Sequence, residues 1–207
     1  MFRSDRMIIG ALAVAALVGF AASAAAQFTE VAPTKKDPLR FEAFAVQMQG
    51  GMAGMVMITI ERWTTDEERN ALVGLLANTT LREQDQEKLV KALQDIKERA
   101  GFLNTPNSMG WDIKYAYQTQ LPDGGRQVVV VTDKPVSFFA ASRNTRTMDY
   151  AFTLIEMRFP KGSDKGEGKL LGQTSLSVKD GKLQIEIYGQ EPTRLTQITE
   201  KNPKVKK

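Results

Sequence analysis

The sequence predicts an α+β fold: a mostly antiparallel sheet of about eight strands, either an incomplete barrel or a sandwich, with a helical hairpin inserted after the second strand. Three observations point there. Apolar residues alternate with period two on both sides of residues 64–101. Within 64–101 the period changes to that of two amphipathic helices. Most strand-like runs are joined by short glycine- or proline-bearing links, which favour antiparallel pairing. Helices and strands do not alternate along the chain, which argues against a strictly parallel α/β arrangement.

Taken in order, the first 26 residues read as an export signal. Arg3 and Arg6 precede the apolar run "MIIGALAVAALVGFAA", and "SAAAQ" offers small residues for a cut after Ala26. An uncleaved anchor needs roughly 20 apolar residues, which the run approaches, but no basic stop-transfer flank follows it. Cleavage would leave 181 residues (207 − 26), enough for one domain without staples. Residues 27–39, with two prolines and no apolar period, read as a flexible lead-in.

A single domain is expected over 40–197. "RFEAFAVQMQ" and "MVMITIERW" flank the glycine-rich "GGMAG", a hairpin pattern. Thr64 with Glu67, and Thr80 with Glu83, have capping-box spacing at two helix starts. Leu72, Leu75 and Leu76 mark the apolar face of the first helix. Leu89, Leu93, Ile96 and Ala100 mark that of the second, with Gly101 as its cap. "WDIKYAYQ" then places Trp111, Ile113, Tyr115 and Tyr117 on one strand face, and "LPDGGR" turns the chain into "QVVVVT", apolar on both faces and so central in the sheet. "PVSFFA", "RTMDYAFTLIEMRF", "KLLGQTSLSV" and "LQIEIYG" supply the remaining strands. Residues 198–207 read as a basic disordered tail.

Composition excludes more chemistry than it supports. Cysteine and histidine are both absent, which removes disulfides, thiolate and imidazole metal sites, and the Ser-His-Asp and Cys-His triads. A net charge of +4, or +3 without the signal, is too small to suggest nucleic acid. "GSDKGEGKLLG" departs from both phosphate-loop patterns and leads into strand-like residues, so it reads as a charged hairpin loop. Lys201, Lys204, Lys206 and Lys207 offer only a screened attraction to an anionic surface.

Acid–base work would fall to Asp149, Tyr150 and Glu156. On one strand Asp149 and Glu156 point to opposite faces, which opposes a glycosidase pair, and ion pairing along an amphipathic strand accounts for them as well. Trp111, Tyr115, Tyr117 and Tyr150 are the candidate ligand-binding aromatics, with core packing as the competing role. Met48, Met52, Met55 and Met57 could offer thioethers to Cu(I), although methionine also fills irregular core gaps.

The runs "ITIERWTTDEERNALVGLL", "GWDIKYAYQ", "LPDGGRQVVVVTDKPVSFF" and "MDYAFTLIEMRFPKGSDKGEGKL" resemble a group of secreted bacterial proteins of unassigned function, over about residues 54–196. The resemblance implies export and a single unit; no activity or site residue comes with it. The reading that follows is an exported, periplasmic or extracellular, non-enzymatic domain. It would bind a small apolar or amphipathic molecule or an envelope protein, without cofactor, nucleic acid or a membrane span after signal cleavage. A hydrolase of envelope polymer is the alternative, and Cu(I) binding the third.

Overall fold

The computed structural model describes residues 32–47, 52–77, 83–106, 108–134, 136, 152–171, 174–179, 182–187 and 192–201. The expected signal, Met48, Asp149 and Tyr150 lie outside the described residues, as does the side chain of Met52. The elements are β1 (Leu39–Gln47), β2 (Met52–Ile60), α1 (Asp66–Ala77), α2 (Glu83–Asp95), β3 (Gly101–Asn104), β4 (Trp111–Gln120), β5 (Arg126–Thr132), β6 (Leu154–Phe159), β7 (Lys165–Leu171), β8 (Thr174–Lys179), β9 (Lys182–Ile187) and β10 (Thr193–Lys201).

Eight strands form a closed antiparallel barrel in the order β1-β10-β7-β6-β5-β4-β3-β2, and β8 pairs with β9 as a separate ribbon. The expected incomplete barrel or sandwich is thereby corrected: β10 bonds to β7 on one side and to β1 on the other, leaving no edge. β10 was not anticipated, and it runs past residue 197, where the polar tail was expected to begin. Two short helices stand between β2 and β3 and contact each other, while residues 78–82 between them lie outside the described residues. The "LPDGG" turn joins β4 to β5 as expected, with Leu121 N–H donating to Gly125 O at 2.8 Å.

Period-two alternation fills the barrel. Phe41, Ile58, Leu103, Val128, Met157 and Leu195 point inward among a single buried cluster, and Phe41 meets Phe159 with ring centroids 5.4 Å apart. Two register shifts re-phase strands. One, between Ile113 and Tyr115, keeps Ile113 and Ala116 inside while turning Tyr115 and Tyr117 outward. The other, in β10, is centred on Gln197 (φ 52°) and lets both Leu195 and Ile198 face inward.

The second shift also brings Glu200 inward, opposite Phe41. There it pairs with Arg126, both side chains at least nine-tenths buried. The Arg126 guanidinium lies 4.5 Å from the centroid of the Phe159 ring and donates to Gln118 Oε1 at 3.2 Å. At the other end Thr132 and Thr153 clasp β5 to β6: Thr153 N–H donates to Thr132 Oγ1 at 3.0 Å, and Val136 N–H to Thr153 Oγ1 at 2.8 Å. Val136 thereby joins the inner cluster.

The outer wall of β4–β7 carries a second apolar cluster, where Leu72 of α1 and Leu93 of α2 meet Val131, Leu154 and Leu171. This accounts for the apolar character of both faces of β5: one lines the barrel and the other lies under helices. α1 is capped one residue later than the spacing predicts. Thr65 and Glu68 exchange hydrogen bonds, at 3.0 Å from Thr65 N–H and 3.2 Å from Glu68 N–H. Thr64 instead exchanges bonds of 2.8 Å with the backbone of Ala116, just past the shift in β4. Arg62 holds Glu68 with two nitrogens, at 2.7 and 2.9 Å, and donates to Glu98 O at 2.6 Å. The Arg62 hydrogen bonds keep the Glu68 carboxyl below its usual range.

α2 ends at Asp95, so Gly101 is not its cap; it opens β3, paired with Ile60. A Cβ there would lie 2.0 Å from Thr59 O, a backbone atom. Gly101→Ala should therefore destabilise the barrel by more than about 3 kcal/mol. Gly54→Ala, with nothing within 4 Å, should change stability by less than about 1 kcal/mol. Paired denaturant titrations measure both, and equal effects would refute the close-approach account.

Glu200→Gln should cost about 3–5 kcal/mol, because it leaves the Arg126 charge without its carboxylate. Replacing Arg126 and Glu200 together by methionine should cost clearly less than the single change, as the same titrations would show.

Candidate functional site

The structure separates the residues that the strand pattern groups together. Trp111 packs against the inner cluster, whereas Tyr115 belongs to the outer one beneath the helices. The shift after Ile113 is the cause, because one extra residue exchanges the two faces of a strand. The extra residue is Lys114, whose ammonium donates to Ile96 O at 3.1 Å, just beyond α2.

Tyr115 and Tyr117 sit 6.3 Å apart, ring to ring, and Arg69 of α1 covers Tyr117 at 4.6 Å. Burial pushes the Tyr115 hydroxyl up to about 12, against the opposing pull of the Arg69 charge. These groups form a helix-to-barrel contact in which Arg69 occupies one face of Tyr117.

Glu156 lies on the outer face of β6, opposite Val129 and Lys169. Its Oε1 accepts from Gln127 Nε2 at 2.7 Å and from Arg158 Nε at 2.5 Å. The side chain is 8% exposed, and that of Arg158 is 53% exposed. The same carboxylate oxygen thus serves a cross-strand amide and a guanidinium two residues along its own strand, the arrangement of a structural ion pair. Asp149 and Tyr150, its proposed companions, fall outside the described residues.

The wall across the barrel from the helices differs. Phe44 of β1 and Met55 of β2 stand directly opposite each other and point outward. They remain 43% and 39% exposed, and Met57, half-buried, continues the same face of β2. Directly opposed residues on adjacent strands bring their side chains within contact range. The apolar centre has charged margins. Glu42, opposite Met57, approaches Lys201 Nζ at 3.5 Å, and Val46 stands opposite Arg194.

Val56, Ile58 and Ile60 take the inner face of β2, fully buried. Both faces of β2 are thus apolar, as expected, but the outer one carries an exposed methionine rather than a core residue. Phe44 was not a candidate in the sequence. Its signal was the apolar pairing of "EAFAV" with "GMVMI" on the face that alternation assigns to solvent.

Met55 and Met57 share that wall, while Met48 and the side chain of Met52 lie outside the described residues. Among the described residues no group of three or more Asp or Glu side chains is placed to hold a metal ion. None of the described helices is long and apolar enough to cross a membrane.

The buried tyrosine makes a pH prediction. Its pKa is raised in the folded chain above the ordinary value of 10.0, so its contribution to stability is complete below about pH 10 and is lost as the pH rises through about 12. Ultraviolet titration of tyrosinate should show Tyr115 protonated until that upper range. Tyr115→Phe should remove this component of the alkaline stability loss, at a cost near neutral pH of about 1 kcal/mol for the hydroxyl's hydrogen bond.

No family model, curated protein or solved structure matches this chain.

Proposed function

We propose that this chain is an exported, non-enzymatic domain that holds a protein of the cell envelope against the β1–β2 wall of its barrel. The carrying observation is the exposed Phe44–Met55 pair, extended by Met57, on a wall outside the helix-covered cluster. Apolar side chains grouped on one exposed face favour contact with a partner. Methionine suits such a face because its unbranched thioether adapts to differently shaped surfaces. Export rests on the amino-terminal sequence, with Arg3 and Arg6 ahead of the apolar run and small residues before Gln27.

The small-molecule version has less support. Interior positions are taken by side chains of the barrel's own cluster, including Phe41, Phe159 and Met157. An eight-stranded barrel is close to the size that side chains alone can fill. The hydrolase reading has only Glu156 among the described residues, and that carboxylate is held by Gln127 and Arg158.

A photo-crosslinking amino acid at Phe44, in protein expressed in its own host, tests the reading. The expected result is a discrete adduct with one envelope protein, absent when the crosslinker replaces the exposed Glu167 on β7. Met55→Lys should weaken the contact roughly tenfold by placing a charge in the apolar centre. Equal adduct patterns at positions 44 and 167, or none at 44, would reject the proposal.

A further inference from the structure

The distribution of sulfur suggests how such a surface could be controlled. Five of the nine methionines, Met48, Met52, Met55, Met57 and Met109, fall in the β1–β2 hairpin or the β3–β4 connection. With no cysteine in the chain, thioether is its only sulfur chemistry. Accessibility grades the described thioethers, with Met57 half-buried between the extremes. Met157 is fully buried in the barrel, Met55 is 39% exposed and Met109 stands free of the surface. Met109 follows the turn in which Ser108 N–H donates to Thr105 O at 3.2 Å. β3 leaves the sheet at Asn104, opposite Met57, so this connection departs beside the strand that carries Met55.

We infer that Met55 is an oxidant-responsive site, and that its conversion to the sulfoxide by a peroxide releases the envelope protein held on the β1–β2 wall. The inference rests on the partner-binding reading above. Chemically, a lone pair of the Met55 sulfur attacks one peroxide oxygen. The O–O bond breaks, an S–O bond forms, and the departing oxygen leaves as water after taking up the proton. Sulfur is oxidised by two electrons and the peroxide is reduced by two.

The product differs from the thioether in the property that the wall uses. A sulfoxide is polar and a strong hydrogen-bond acceptor, whereas the thioether opposite Phe44 is apolar and attracted to aromatic rings. The change lies on the outer face, and the inner cluster that holds the barrel together keeps Met157 out of reach. The surface can therefore change while the fold persists. Sulfoxide is also reducible enzymatically, so the step is reversible.

The test treats the full chain with graded hydrogen peroxide and follows each methionine by peptide mass spectrometry, using the Phe44 crosslink as the readout of binding. Met55 and Met109 should form sulfoxide at least about tenfold faster than Met157. In Met109→Leu protein the adduct should disappear in step with Met55 sulfoxide and return after methionine sulfoxide reductase, with circular dichroism unchanged. Met55 oxidising no faster than Met157 would overturn the site. An adduct that survives complete Met55 oxidation would overturn the release while leaving partner binding intact. Absence of the adduct before any oxidant is added would overturn partner binding, and the release with it.

Discussion

Closure of the barrel depends on strand phase. A strand offers alternate residues to one face, and a closed barrel has no free edge at which a misphased strand can stop. β10 satisfies both neighbours only because Gln197, with a φ of 52°, absorbs one residue. Strict alternation from Leu195 would send Gln197 and Thr199 inward and Ile198 and Glu200 outward. The shift reverses this. Ile198 enters the core, and Glu200 meets Arg126 across the barrel end. An ion pair in such a place is weak evidence of added stability, since desolvation offsets much of the attraction. Its stronger effect is on register, because slipping β10 by one residue would strand a buried guanidinium.

The shift in β4 organises the other half of the molecule. Beyond Ile113 the four-residue β3 no longer borders β4, and Thr64 takes over by bonding to Ala116. The segment that enters α1 is thus fastened to the barrel at the place where β4 changes phase. Turning Tyr115 outward supplies the apolar surface on which Leu72 and Leu93 rest, and Arg69 closes over the neighbouring Tyr117. The covered and uncovered walls follow from the same device: helices fastened at β4 reach β5, β6 and β7. Phe44 and Met55 stand outside that reach.

Much of the mostly antiparallel design was legible in the sequence because it rests on local patterns, namely the alternation in β1, the apolar runs of β2 and β5 and the "LPDGG" turn. Closure was not, because it depends on contacts between β1 and β10, which lie at opposite ends of the chain. "KGEG" read as a loop because of its glycines. In β7, Gly166 and Gly168 are inward strand positions where a Cβ would come within 2.8 Å of the Phe159 ring and 3.0 Å of Ile198 Cδ1. The neighbouring strands need that space, and the pairing of β7 with β6 and β10 that brings them so close is not written in any local pattern. The candidate aromatics were grouped by a period that the β4 shift breaks, whereas Phe44 was overlooked because an apolar residue in a strand is ordinarily assigned to the core.

The uncovered wall and the missing reactive side chains bear on each other. Without imidazole or thiol, the described surface has few groups suited to covalent chemistry at neutral pH, and its one described carboxylate candidate, Glu156, is engaged by Gln127 and Arg158. Thioethers are the exception, since sulfur in that form reacts with peroxide without first losing a proton. Leucine at position 55 would keep the wall apolar without that reactivity. Placing the reactive atom beside Phe44 joins two properties in one side chain: the adaptability that lets methionine fit a partner, and the oxidisability that can end the fit.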